Sequence, residues 1–122
     1  MINEENPKKK IYDLEERTAK FGEEAIKFCR SLPKSELTRR IIDQLVGCST
    51  SVGANYCEAD DAESPKDFRH KIGICKKESR ESKHFLRMSA VAVPEKADDA
   101  RKLWIEAKEL NLIFNSIYKK VK

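Results

Sequence analysis

The side chains best suited to metal or thiolate chemistry in this sequence are its cysteines and histidines. No two cysteines have the Cys-x-x-Cys spacing of a zinc site, and neither His70 nor His84 completes a ligand pattern with them. This spacing favours reduced thiols that serve as small apolar residues in a reducing cytosol. We therefore expect no metal and no cofactor at Cys29, Cys48, Cys57 and Cys75.

Motifs typical of enzymes are missing from the sequence. It contains no Gly-rich phosphate loop, no HExxH and no GxSxG. An acidic cluster follows the second predicted helix and is typical of a solvated turn; it comprises Glu58, Asp60, Asp61 and Glu63. We expect no catalytic residues. An enzyme with a pocket in its core is the weakest of three interpretations, and the other two depend on surfaces.

The first of these surfaces is a basic arc on the third predicted helix. Away from the core, the helix carries cations and histidines for several turns, whereas Glu78 and Glu81 lie beside the core. Helix surfaces ordinarily mix signs to gain i,i+4 pairs. Either acids of a neighbouring helix or subunit neutralise the arc, or it follows nucleic-acid phosphates. The expected phosphate contacts are Arg69, Lys76, Lys77, Arg80, Lys83 and Arg87. Aromatic residues near the arc are sparse, which favours backbone recognition over base stacking.

The second surface is an excess of apolar residues on the fourth predicted helix. Beyond its core positions the helix is apolar over more than half its circumference, and a single bundle interface cannot bury that much. Self-association would cover the excess, with a small-residue face of helix two around Gly53 and Ala54 as a possible complement. Alternatively, Trp104 and Tyr118 wedge between helices of one chain. The expected oligomer contacts are Trp104, Ile105, Leu112 and Tyr118.

The elements that must position these surfaces are four helices. Core-type residues recur at alternating spacings of three and four, the a and d positions of a heptad, in segments that start at Leu14, Ile41, Phe68 and Leu103. Expected N-caps are Asp13, paired with Glu16, and Ser35 and Ser64, while Pro33 and Pro94 end helices. The loops are short, so sequential helices are antiparallel neighbours. We predict an all-α, antiparallel up-down-up-down four-helix bundle over residues 13–122, preceded by a polar N-terminal arm, residues 1–12.

Several predicted core positions are not apolar. Asn55 and three serines occupy them, and we expect close packing around these residues, with Asn55 bonded within a core layer; a buried ligand pocket is the alternative. Gly47 and Gly53 lie inside the second helix, where each costs up to ~1 kcal/mol relative to Ala. We interpret both as points where another helix approaches closely.

Length and composition limit the number of domains and the classes of partner. The chain has 122 residues, which is the size of one domain, and its formal net charge of +4 permits a nucleic-acid partner without requiring one. Its N-terminus is polar and lacks the apolar core of a signal peptide. No apolar run approaches the ~20 residues that span a membrane. We expect a cytoplasmic protein without a membrane partner.

The sequence also resembles a known family. The stretches that carry the resemblance are QLVGCSTSVGANYCEAD (Gln44 to Asp60), SPKDFRHKIGICKKESRESKHFLRM (Ser64 to Met88) and EAKELNLIF (Glu106 to Phe114). A small-residue helix that ends in Ala-Asn-x-x-Glu, followed by a basic helix that opens on Phe, is similar to the four-helix bundle proteins named for intervening sequences of 23S ribosomal RNA. The similarity covers nearly the whole chain after the arm.

This resemblance implies properties that periodicity does not show. Members are encoded within insertions in bacterial 23S ribosomal RNA genes, and they are similar to accessory proteins of diversity-generating retroelements. Those are basic pentameric barrels that work with a reverse transcriptase and nucleic acid, so the resemblance implies a pentamer. Gly47 departs from the basic residue often found at that point, which weakens a role for helix two in charge recognition.

Together these observations favour a non-enzymatic oligomeric bundle associated with RNA or DNA through the basic face of helix three. The alternative is a protein-interaction scaffold, or accessory subunit, whose basic face binds an acidic protein partner.

Overall fold

A computed structural model describes residues 13–121, and it has the predicted architecture. The helices are α1 (Leu14–Ser31), α2 (Glu36–Asp60), α3 (Pro65–Ala92) and α4 (Ala97–Lys120), and a 3-10 turn, Pro94–Lys96, precedes α4. Short loops join consecutive antiparallel helices, and no strand occurs among the described residues. The all-α four-helix bundle is confirmed. The predicted N-terminal arm lies outside the described residues.

The helix starts follow the predicted caps at two of three places. Ser35 Oγ accepts a hydrogen bond from the Thr38 amide at 3.1 Å, and the Ser35 amide donates to Thr38 Oγ1 at 2.9 Å. Ser64 Oγ accepts from the Asp67 amide at 3.0 Å. The predicted capping box at Asp13 is wrong: its side chain makes no cap bond, because φ −90° and ψ 55° are not the extended backbone that aims a capping side chain at the first turn.

The predicted a and d positions form the core. Leu45, Val52, Ile72, Leu86 and Phe114 are all fully buried. The core serines of α3 bond within the helix, as in Ser82 Oγ to the Glu78 carbonyl at 2.8 Å and Ser89 Oγ to the Phe85 carbonyl at 2.7 Å. These bonds favour close packing over a buried ligand pocket.

The amide that crosses between helices is not the predicted one. Asn55 is half-buried and bonds within α2, its Nδ2 donating to the Ser51 carbonyl at 2.9 Å. Asn111 of α4 instead donates from Nδ2 to the Lys76 carbonyl at 2.8 Å and to Ser79 Oγ at 3.2 Å. The expectation for Asn55 is therefore wrong, and Asn111 holds α4 in register against α3.

Close approach of α1 to α2 occurs at Gly53 but not at Gly47. A Cβ added at Gly53 would lie 3.3 Å from Thr18 Oγ1 and 3.4 Å from the Thr18 carbonyl carbon. A Cβ at Gly47 would meet nothing within 4 Å, so the prediction for that glycine is wrong. Because α1 covers Gly53, the small-residue face of α2 is partly used inside the chain.

Helix α1 meets α4 more loosely than it meets α2. A cleft of about 700 Å³ opens between α1 and α4. Arg17 spans the two helices: its Nε lies 2.7 Å from Glu106 Oε2, and its Nη2 lies 2.7 Å from Glu109 Oε1. Two acids of α4 are thereby neutralised on the side that faces α1.

The end of α4 is held to α3 by Arg69. Its Nε donates to the Val121 carbonyl at 2.7 Å and to the Tyr118 carbonyl at 3.3 Å, and its Nη1 donates to the Tyr118 hydroxyl at 3.0 Å. The guanidinium carbon also lies 3.7 Å from the centroid of the Tyr118 ring. One cation thus caps carbonyls at the helix end and packs on an aromatic ring.

The two glycines of α2 form a matched test of the α1–α2 contact. Gly47→Ala should raise the free energy of unfolding by up to ~1 kcal/mol, because it improves helix propensity in open space. Gly53→Ala should give no gain, or a loss, because its Cβ must push against the Thr18 backbone. Urea denaturation of both variants measures the difference, and equal gains would contradict the close approach.

Arg69 offers a second test of the packing. Arg69→Met should lower the free energy of unfolding by about 1–2 kcal/mol and speed hydrogen exchange in the last turn of α4, since carbonyls there lose a charged donor. The matched control is Arg80→Met on the same helix, which is exposed and should change stability by less than about 0.5 kcal/mol. If both variants behave alike, the Arg69 contacts do not hold the helix end.

Candidate nucleic-acid interface

The six predicted phosphate contacts follow one side of α3 but differ in exposure. Lys77, Arg80 and Arg87 are exposed along the helix. Arg69, Lys76 and Lys83 are half-buried along the edge that borders α4. The first three are therefore free to meet a ligand directly, while the other three are engaged with aromatic side chains.

Two aromatic residues of α4 lie under that half-buried edge. The Tyr118 ring packs against Arg69 and has Lys76 Nζ 4.2 Å from its centroid. The ring packs closely on α3 at Gly73, where an added Cβ would lie only 3.1 Å from Tyr118 Cε1. Farther along, Lys83 Nζ lies 5.7 Å from the centroid of the Trp104 ring. Aromatic faces attract cations at such distances, so they hold parts of the basic edge in place.

Helix α4 adds cations to the same face, which the sequence reasoning missed. Lys108 Nζ lies 5.6 Å from the Trp104 ring centroid, and Arg101 shares a small surface cavity with Arg87 and Trp104. A sequence signal exists for them: Arg101 and Lys108 lie seven residues apart, each directly after a core position of the helix. The basic surface therefore spans two helices, and we call it the α3–α4 face. It comprises the six predicted phosphate contacts of α3 together with Arg101 and Lys108 of α4.

Four acids of these helices lie on sides away from the α3–α4 face. Glu106 and Glu109 of α4 bind Arg17 of α1. Burial raises the pKa of the Cys48 thiol of α2, and the charges of nearby Glu78 and Glu81 of α3 raise it further. Burial, reinforced by the neighbouring Glu81, raises the pKa of Glu78 itself. Within residues 13–121 no carboxylate forms an ion pair with any of the six predicted phosphate contacts.

The four predicted oligomer contacts separate into two groups. Ile105 and Leu112 are exposed, at 47% and 57%, on the outer side of α4. Trp104 and Tyr118 are half-buried against α3, the arrangement expected for aromatic residues wedged within one chain. Only the aliphatic pair presents apolar surface away from the bundle.

Little in the described chain supports catalysis. Burial raises the pKa of Cys29 to about 11 and that of Cys75 to about 12, so these thiols stay protonated at neutral pH and are poor nucleophiles. Among residues 13–121, no three side chains of the metal-binding types cluster closely enough to hold an ion. The same region contains no helix long and apolar enough to cross a membrane.

Comparisons with known proteins agree with the helical architecture. Among solved structures, the chain is similar to the crystal structure of a protein with unknown function from the S23 ribosomal protein family of Bacteroides thetaiotaomicron VPI-5482, with a TM-score of 0.81. The two share 23% sequence identity, over 91% of this chain and 99% of that one, so the likeness shows the fold alone. No curated protein matches the sequence.

Family membership follows from a match over most of the sequence. The sequence model described as 23S rRNA-intervening sequence protein matches residues 10–119, which include all of α1, α2 and α3 and nearly all of α4. The resemblance carried by helices two to four is thereby confirmed, and the chain belongs to the 23S rRNA-intervening sequence protein family.

Proposed function

We propose that the chain is a non-enzymatic protein that binds RNA through the phosphates that meet the α3–α4 face. The observation that carries this proposal is the segregation of charge. Two adjacent helices place cations on a shared face. Four of their acids lie on other sides: Glu106 and Glu109 bind Arg17 of α1, and Glu78 and Glu81 lie near α2. Described carboxylates do not neutralise the predicted phosphate contacts, so a bound polyanion would relieve their mutual repulsion.

The geometry suits the backbone of a nucleic acid. Arg80 and Arg87 are exposed two helical turns apart on α3, a separation of about 10 Å at the helical rise per residue. Arg101 and Lys108 add a parallel row from α4. Two rows of cations can contact phosphates on either side of a groove without reading base edges.

The family name favours RNA over DNA. The matching family is described by an intervening sequence of 23S rRNA. The competing interpretation, an acidic protein partner, uses the same charge but requires acids presented at matching spacing. This interpretation would stand if the protein binds an acidic protein and no nucleic acid.

A double charge reversal tests the nucleic-acid proposal. Arg80→Glu with Arg87→Glu should weaken binding to a structured RNA at least about tenfold at ~100 mM salt. It should also reduce the slope of log affinity against log salt by roughly two, since two phosphate contacts are lost. Filter binding across a salt series measures both quantities.

The matched control reverses two exposed arginines of α2, Arg39→Glu with Arg40→Glu. It changes the net charge equally and should leave most of the RNA affinity in place. Equal losses in both variants would show only an effect of net charge. Wild-type protein that binds neither RNA nor DNA, but retains an acidic protein, would replace the nucleic-acid proposal with the scaffold.

We also propose that the chain self-associates through the outer side of α4. Ile105 and Leu112 lie one heptad apart and expose an apolar strip that nothing in the described chain covers. The family resemblance implies five subunits. Assembly would repeat the α3–α4 face around a particle and turn a weak attraction for RNA into a multivalent one.

Light scattering tests the assembly. Wild type at tens of micromolar should be an oligomer, and Ile105→Lys with Leu112→Lys should shift it to monomer with helicity retained, because two charges would enter a desolvated contact. The control is Ile26→Lys with Leu37→Lys, which alters exposed apolar residues of α1 and α2. A monomeric wild type contradicts the proposal, and equal dissociation of both variants contradicts its location.

A further inference from the structure

A small cavity lies in the α3–α4 face, between the last turns of α3 and the first turns of α4. Its volume is about 280 Å³. Its apolar lining consists of Leu86, Ala90, Ala97, Ala100 and Trp104. Two exposed arginines, Arg87 and Arg101, complete the lining, so the cavity opens to the surface.

We propose that this cavity receives one unpaired nucleobase, which stacks on Trp104 while the adjoining phosphates meet Arg87 and Arg101. The inference rests on the proposed function and adds to it: the face would recognise a bulged, looped or single-stranded nucleotide as well as the backbone. It also revises the expectation of backbone recognition over base stacking, because Trp104 lies on the face.

The volume of the cavity fits a flat ring. Drug-sized ligands occupy sites of roughly 300–1,000 Å³, and this cavity falls just below that range, which suits a group of one or two rings. Three of the five apolar lining residues are alanines, whose side chains are small. An indole beside such a lining offers the kind of slot in which bases stack.

The charge around the cavity identifies the occupant as part of a polyanion. No lining residue is acidic. Besides the two arginines, Lys83 and Lys108 place their ammonium groups 5.7 and 5.6 Å from the Trp104 ring centroid. A base on that ring brings a phosphate on each side of itself, whereas an apolar side chain of a protein partner would leave these cations without counterions.

Trp104 supplies its own readout, because it is the sole tryptophan of the chain. A stacked base quenches indole emission. The probes are hairpins with one stem sequence, fully paired, with a one-nucleotide bulge, or with the same bulge made abasic, each as RNA and as DNA. Affinity is measured by anisotropy of a terminal dye, and Trp104 emission is recorded on the unlabelled hairpins.

The bulged hairpin should bind roughly tenfold more tightly than the paired one and should quench Trp104. The abasic bulge should give neither effect, which separates base insertion from backbone flexibility. If the RNA and DNA bulges behave alike, the base and phosphates suffice for recognition. A larger gain for RNA would add a contact to the 2′-hydroxyl at the same site.

Two variants locate the effect. Trp104→Leu should bring the ratio of bulged to paired affinity close to one, and Trp104→Phe should restore part of it, since the smaller ring still stacks. Ala90→Leu fills the cavity without removing the indole, so it should abolish both the preference and the quenching. Circular dichroism verifies that each variant is folded.

The outcomes separate the two proposals. Paired and bulged hairpins that bind equally, without quenching, overturn the base site and leave phosphate binding by the α3–α4 face intact. If no hairpin binds, the proposed function fails and the base site with it. If Trp104 emission changes with protein concentration alone and not with hairpins, a second copy of the chain occupies the cavity, which also overturns the inference.

Discussion

Burial of one stripe on each helix is the constraint on which the other features depend. Ile72 and Leu86 on α3, and Leu110 and Phe114 on α4, are fully buried, and each contributes up to ~3 kcal/mol through the apolar surface that it removes from water. Surface ion pairs are worth a fraction of that. The apolar stripes therefore fix how each helix is rotated about its axis. That rotation then decides which neighbouring helix each charged residue faces.

Those directions sort the charges by neighbour. On α4, Glu106 and Glu109 meet Arg17 of α1, whereas Arg101 and Lys108 lie on the side of α3. On α3, Glu78 and Glu81 lie toward α2, whereas the six predicted phosphate contacts lie toward α4 or solvent. Helix α3 is strongly basic, with eight Lys and Arg against three acids, whereas α4 is nearly balanced, with five against four. The basic surface arises because the cations of α3 lie beside Arg101 and Lys108 of α4.

Aromatic rings offset part of the repulsion among these clustered cations. Tyr118 and Trp104 lie among the cations of the α3–α4 face and offer their negatively polarised faces to them. The two rings have different surroundings. Arg69 and Gly73 enclose Tyr118, which fastens the end of α4, whereas Trp104 borders an open cavity. One type of contact thus stabilises the fold at one end of the face and leaves a platform for a ligand at the other.

The sequence by itself determined the features that depend on one helix at a time. Heptad spacing located the core positions, and Ser35 and Ser64 located two helix starts, because a helix repeats every 3.6 residues and caps act within one turn. Only the tertiary structure decided which neighbour each flanking residue meets. Another helix approaches closely at Gly53 and not at Gly47, and Asn111 rather than Asn55 bonds across helices. The packing also brought Arg101, Lys108 and Trp104 to the basic residues of α3. A period identifies the inside of a helix, but the helices that lie to its left and right are set by the packing of all four.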